Sequence, residues 1–169
     1  TWQQRRENMK QVCLSCHNVN FFDSFYTQYD ELLDLYHEKF AQPGLDLMAV
    51  AKPLLKPVEF SNEIEWTWYE IWHHEGRRAR HGVSMMGPDI THWHGTYEVS
   101  KHFYTEFIPQ LEELIHKGLE SEDTAKNEAA TALQAEQQVR QGLPVALAHV
   151  EVARVGRNRE GLAVQAEKL

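Results

Sequence analysis

Residues 21–40 read FFDSFYTQYDELLDLYHEKF, and the spacing of their apolar members decides the fold. Phe22, Phe25, Tyr26, Tyr29, Leu32, Leu33, Tyr36 and Phe40 recur every three or four positions, the repeat that lines one face of an α-helix. Pro43-Gly44 follows and predicts the end of that helix. Working outward, Leu45 to Leu55 is a shorter apolar segment, interrupted by Pro53 and closed by Pro57. Ser61-Asn62-Glu63 offers an N-terminal cap for a helix from about Ile64 to Arg80, with Ile64, Trp68, Ile71 and Trp72 on one face and Gly82 as its end. Met85 to Asp89 reads as a loop. A long helix with the stripe Val99, Phe103, Phe107, Leu111 and Leu114 comes next, and Pro109 inside that stripe predicts a kink. Nowhere does apolar–polar alternation last long enough to build a sheet, so the reading is all-α.

The aromatic residues divide the chain, since Phe107 is the last of them. Residues 1–118 form an aromatic and His-rich body. Residues 119–169 form an Ala/Glu-rich polar tail, read as helical from Ser121 to Gln141 and irregular after Gly142-Leu143-Pro144. In that last part Val150, Val152 and Val155 form a β-like stretch, and Gly156 to Arg159 looks like loop. A chain of 169 residues can bury a core unaided. Its net charge of −8 argues against nucleic acid as a partner, because a phosphate backbone wants clustered Lys and Arg. No apolar run approaches the ~18 residues that cross a bilayer. The opening Thr-Trp-Gln-Gln-Arg-Arg is not a signal peptide, which leaves a removed leader or a piece of a longer protein as the expectation.

The only two cysteines fall in Cys13-Leu14-Ser15-Cys16-His17. This is C-x-x-C-H, the attachment pattern of c-type heme. Thiols three residues apart can reach both vinyl groups on one porphyrin edge, and the next residue sets an imidazole under the iron. A zinc site would need further ligands around the ion. A thioredoxin-like C-x-x-C would need a βαβ setting that the chain lacks. Thioether attachment belongs outside the cytoplasm, so a periplasmic or equivalent compartment is expected.

Histidine is abundant, with ten in the chain, and His73, His74, His81, His92 and His94 crowd into one stretch. Any one of them alone reads as a surface imidazole. Here, however, His73 and His74 follow Trp66, Trp68, Tyr69 and Trp72, and His92 and His94 flank Trp93. Aromatic walls interleaved with imidazoles suit a flat apolar macrocycle whose iron takes a second nitrogen ligand. One heme uses one distal His, so the surplus points to hemes carried elsewhere.

Several runs carry a family likeness. They are Met9 to His17, Gln28-Tyr29-Asp30, Leu35 to Ala41, Ile64 to Tyr69, Trp72-His73-His74-Glu75-Gly76-Arg77-Arg78-Ala79-Arg80 and Trp93-His94-Gly95-Thr96-Tyr97-Glu98. Together, from about residue 1 to 118, they resemble the C-terminal third of the octaheme hydroxylamine oxidoreductases. The resemblance implies a helical multiheme c-type cytochrome with long helices, assembled as a trimer and acting as an oxidoreductase in nitrogen metabolism. It implies that Cys13, Cys16 and His17 hold the last heme of the series. His74 and His94 become the candidate distal iron ligands, with His73 behind them. Seven attachment motifs and the catalytic heme are missing, so the resemblance also implies a multiheme partner chain, or sequence beyond this one, and a redox partner cytochrome. In oxidising members a tyrosine cross-links to a neighbouring catalytic heme. The matching segment here reads Gly87-Pro88-Asp89-Ile90, which favours nitrite reduction. Tyr97 is the alternative cross-linking residue, and would favour hydroxylamine or hydrazine oxidation. A monoheme cytochrome c carrier and a purely structural clamp remain as competing readings.

Overall fold

The computed structural model describes residues 1–140 and is all-helical, with no strand among the described residues. In order the helices are α1 (Trp2–Cys13), α2 (Val19–Tyr36), α3 (Gln42–Ala51), α4 (Glu63–Tyr69), α5 (Gly76–Ser84), α6 (Pro88–Thr91), α7 (Tyr97–His102), α8 (Ile108–Leu119) and α9 (124–140). The readings of 141–169, including the β-like valines and the loop after Gly156, lie outside the described residues. No helix among those described is long and apolar enough to cross a membrane.

Four π-helical turns join these helices without a break: His37–Ala41, Glu70–Glu75, His92–Thr96 and Phe103–Phe107. Each closes with an amide reaching back five residues, as in Gln42 N–H to the His37 carbonyl and Gly76 N–H to the Ile71 carbonyl. They correct two sequence expectations. Pro43-Gly44 does not end a helix, while Pro109, where a kink is expected, directly follows the Phe103–Phe107 turn and its first α residue. Both prolines are the second residue of a new α segment that directly follows a π turn. There a missing N–H and a bulky ring are tolerated, much as at a helix start. Trp72 does not join the buried face of its helix either. Within the Glu70–Glu75 turn Ile71 and Glu75 face inward, and Trp72 is 41% exposed.

Smaller corrections concern termini and stripes. Asn62 caps α4 as expected, and the Glu65 carboxylate accepts from its backbone N–H at 3.1 Å and its side-chain amide at 2.8 Å. Gly82 is not the end of that helical stretch, which runs to Ser84. It is instead a point of close approach, where a Cβ would lie 2.8 Å from the Thr91 backbone nitrogen. The loop is shorter than expected, because Pro88 already starts α6. In α8 the buried residue beside Leu111 is Ile115, not Leu114.

Two compact units form. One comprises Thr1–Gln42 with Pro57–Gln110. Its core gathers Phe22, Tyr36, Phe40, Ile64, Ile71, Ala79, Val99, Phe103 and Phe107. Here α5 packs on α2 and α6, while the Phe103–Phe107 turn packs on α4. Burying a side chain such as Phe107 or Ile71 is worth about 1.5–3 kcal/mol. The other unit, among the described residues, holds Pro43–Lys56 and residues 111–140, with Leu47, Ala51, Leu111, Ile115, Ala130 and Leu133 buried. Within it Arg140 pairs with Asp46 at 2.7 Å.

Candidate heme-attachment site

The C-x-x-C-H residues form the turn of a helical hairpin. α1 ends on Cys13, and the chain winds on so that Cys16 N–H and His17 N–H both donate to the Cys13 carbonyl, at 3.1 and 2.9 Å. Asn18 then caps α2, its Oδ1 accepting from Phe21 N–H at 3.0 Å. Two ion pairs hold the hairpin closed. Arg6 makes a two-pronged contact with Asp30 at 2.6 and 2.7 Å, and Lys10 reaches Asp23 at 2.8 Å. The Arg6 guanidinium also lies 4.9 Å from the Trp2 ring centroid and 4.6 Å from that of Tyr26. The hydrogen bond from Arg6 holds the Asp30 carboxyl below its ordinary range and raises the Arg6 guanidinium in turn. α1 itself buries no residue.

Both thiols are unpaired, Cys13 half-buried and Cys16 exposed. The His17 imidazole is exposed and stacks on Phe21, with centroids 4.2 Å apart and planes 10° apart. Met9, Val12, Leu14, Val19 and Phe21 surround the motif as exposed apolar side chains. Two free thiols on one turn, an adjacent free imidazole and an apolar collar fit a covalently held porphyrin. They fit zinc poorly, since the described residues bring no further donor to make a group of three or more metal-binding side chains. Axial ligation of heme asks for less, one imidazole on each face.

Of the five clustered histidines, four lie in π turns and His81 lies in α5. His73 and His74 lie in Glu70–Glu75, and His92 and His94 in His92–Thr96. His73 stacks on Tyr69 at 4.6 Å and stands edge-on to Trp72 at 5.2 Å. Burial and the nearby Arg77 charge lower its pKa, which favours the neutral imidazole. His74 Nε2 is 3.9 Å from Glu70, and His94 Nδ1 is 3.2 Å from Glu98, which also accepts from Arg78 at 2.9 Å. A carboxylate on Nδ1 orients the ring and leaves Nε2 for a metal. His94 and His73/His74 are not joined to Cys13, Cys16 and His17 in one metal-binding group.

One pair escaped the sequence reading. Glu75 is buried, and its Oε1 bonds His102 Nδ1, while Oε2 is buried with no partner among the described residues. Burial pushes the Glu75 carboxyl up, against the opposing pull of His102. The signal was present, because Glu75 stands four residues after Ile71 on the apolar stripe, where a carboxylate needs a partner.

Ile90 and Tyr97, the two residues considered for the cross-link position, are both exposed, at 51% and 54%. Tyr97 stands edge-on to Trp93 at 5.7 Å. A groove of about 850 Å³ opens next to the attachment turn, lined in part by Asn18, Phe21, Phe25, Met86, Pro88 and His92. Comparison of the chain with family models, curated proteins and solved structures gives no match.

Proposed function

We propose that this chain is the heme c-bearing part of a hydroxylamine oxidoreductase-like multiheme complex, relaying electrons to or from a catalytic heme on a partner chain or on sequence outside this one. The observation that carries the reading is the C-x-x-C-H turn itself: two free thiols and a free imidazole set in an apolar collar. Cys13 and Cys16 hold the porphyrin edge and His17 the proximal face. When bound, the heme supplies one-electron transfer. The exposed aromatic–imidazole surface around Trp66, Trp72, His73 and His74 is more than a self-contained monoheme carrier needs, and it supports an assembly with a heme-bearing partner in a trimer-based complex.

Ile90 supports the reductive direction, with nitrite or a related nitrogen oxide as substrate. A saturated sec-butyl group has no route to a porphyrin cross-link, so the partner's macrocycle would stay undistorted, and distortion is one lever on heme potential. Tyr97 carries the second reading: its exposed phenol is free to reach a neighbour, and that would favour oxidation of hydroxylamine or hydrazine.

Two measurements test this. Heme should stay with the chain through acid–acetone extraction and denaturing electrophoresis, and Cys13→Ser with Cys16→Ser should release it. Extractable heme in the unaltered chain overturns the assignment. Peptide mass mapping of the assembled complex decides the direction, since a Tyr97 peptide bonded to a second heme replaces reduction by oxidation.

A further inference from the structure

The groove beside the attachment turn has a use that the sequence reading did not assign. It begins one residue beyond the motif: Asn18 lines it, and so does Phe21, whose ring is the one stacked on His17. Phe25, Leu32, Val83 and Pro88 continue it as an apolar wall. Its size falls in the range of ligand and cofactor sites. Among the described residues that line it, His92 is the only histidine. The ring is exposed, and no described side chain engages its nitrogens. His74 faces Glu70, His94 faces Glu98, and His102 lies between Glu75 and Glu106, while His73, whose ring stacks on Tyr69, does not line the groove. His92 also opens a π turn, a local widening of the helix often found at functional positions.

We propose that this groove is the bed of the heme held by Cys13 and Cys16, and that His92 supplies the imidazole on the face opposite His17. The proposal rests on the heme reading above and replaces its choice of His74 or His94 for this particular heme. Those two are then available to hemes of the partner. Two other potential metal ligands line the groove, the Met86 thioether and the Glu31 carboxylate. A thioether is itself an axial ligand in c-type cytochromes and raises the heme potential, so Met86 is the competitor that the spectra below distinguish from His92.

The test uses the full chain, matured with its heme in a host that forms thioethers. Covalent heme is scored first, from the pyridine hemochrome spectrum and denaturing electrophoresis. Absence of covalent heme overturns the heme reading itself, before ligation is asked. With heme attached, optical and electron paramagnetic resonance spectra of the unaltered chain should show six-coordinate, low-spin iron. His92→Ala should turn the iron high-spin and let it bind carbon monoxide, and added imidazole should restore the low-spin spectrum. His74→Ala and His94→Ala should leave it unchanged. High-spin iron in the unaltered chain, an unchanged spectrum in His92→Ala, or loss of an iron–thioether band in Met86→Ala overturns the proposal. If His92→Ala does not accumulate as folded protein, His92→Met is read in its place. A thioether at the ligand position should raise the midpoint potential, and an unchanged potential overturns the assignment equally.

Discussion

At the scale of single residues, close packing of the helices rests on glycines that cannot grow. A Cβ on Gly95 would lie 2.5 Å from the Ala79 Cα and 2.8 Å from its nitrogen. Replacing a helical glycine by alanine gains about 1 kcal/mol in propensity. Overpacking costs about 1–3 kcal/mol, and more where the obstacle is backbone that cannot rotate away. The clash wins, so Gly95→Ala should lower the denaturation midpoint. Gly87 is the control, because a methyl group there would meet nothing nearer than the Gly82 carbonyl at 3.5 Å. Gly87→Ala, at the N-cap of α6, should lose only a cap preference of about 0.5–1 kcal/mol, less than Gly95→Ala. Equal effects at the two sites, measured by urea denaturation, would contradict this account of the packing. The Glu75–His102 pair belongs to the same scale. Each residue was visible in the sequence as a polar group on or beside an apolar stripe, but their meeting depends on two helices being brought together.

Among the elements, α1 is the one held by charge rather than by burial. Its bidentate Arg6–Asp30 contact is partly exposed, so it contributes on the order of 0.2–1 kcal/mol. Asp30 has a folded pKa below its unfolded one. Its contribution is therefore complete above the unfolded carboxylate pKa and is lost as pH falls through the folded value. Amide exchange in α1 should accelerate under acid before the helices that line the core respond, and Arg6→Ala should produce the same loosening at neutral pH. Uniform exchange across α1 and α5 at every pH would sink the idea. The helices themselves were legible from periodicity, and Asn62 was legible as a cap. The π turns were not, because nothing in a three-and-four repeat announces one inserted residue. In retrospect two of them leave a trace, in Pro43 and Pro109, each two residues beyond the turn. The C-x-x-C-H pattern is visible in the sequence because five contiguous residues define it. The groove was not, because its walls come from residues about seventy positions apart in the chain.

For the molecule as a whole, the exposed aromatic surface is the feature with the largest consequence for behaviour in solution. Phe60, Trp66 and Trp72 are 45%, 52% and 41% exposed, and the rings of Phe60, Trp66, Tyr69 and Trp72 form one chain of contacts. A contiguous apolar patch of this kind is what the proposed assembly with a partner would cover. The isolated chain should self-associate as its concentration rises, and sedimentation velocity should show Trp66→Ser with Trp72→Ser reducing it. A monodisperse monomer at high concentration would count against the assembly. The peripheral attachment of α1 matters here in another way. Since α1 contributes nothing to either core, the rest of the chain can reach its native structure while residues 13–17 are still open. Thioether formation requires both thiols to meet both vinyl groups, which an unclosed segment permits more easily than a finished turn. On the proposed heme reading, maturation would then be separated in time from folding, and the closing of Arg6 and Lys10 onto α2 would set the end of the interval in which the chain could be loaded.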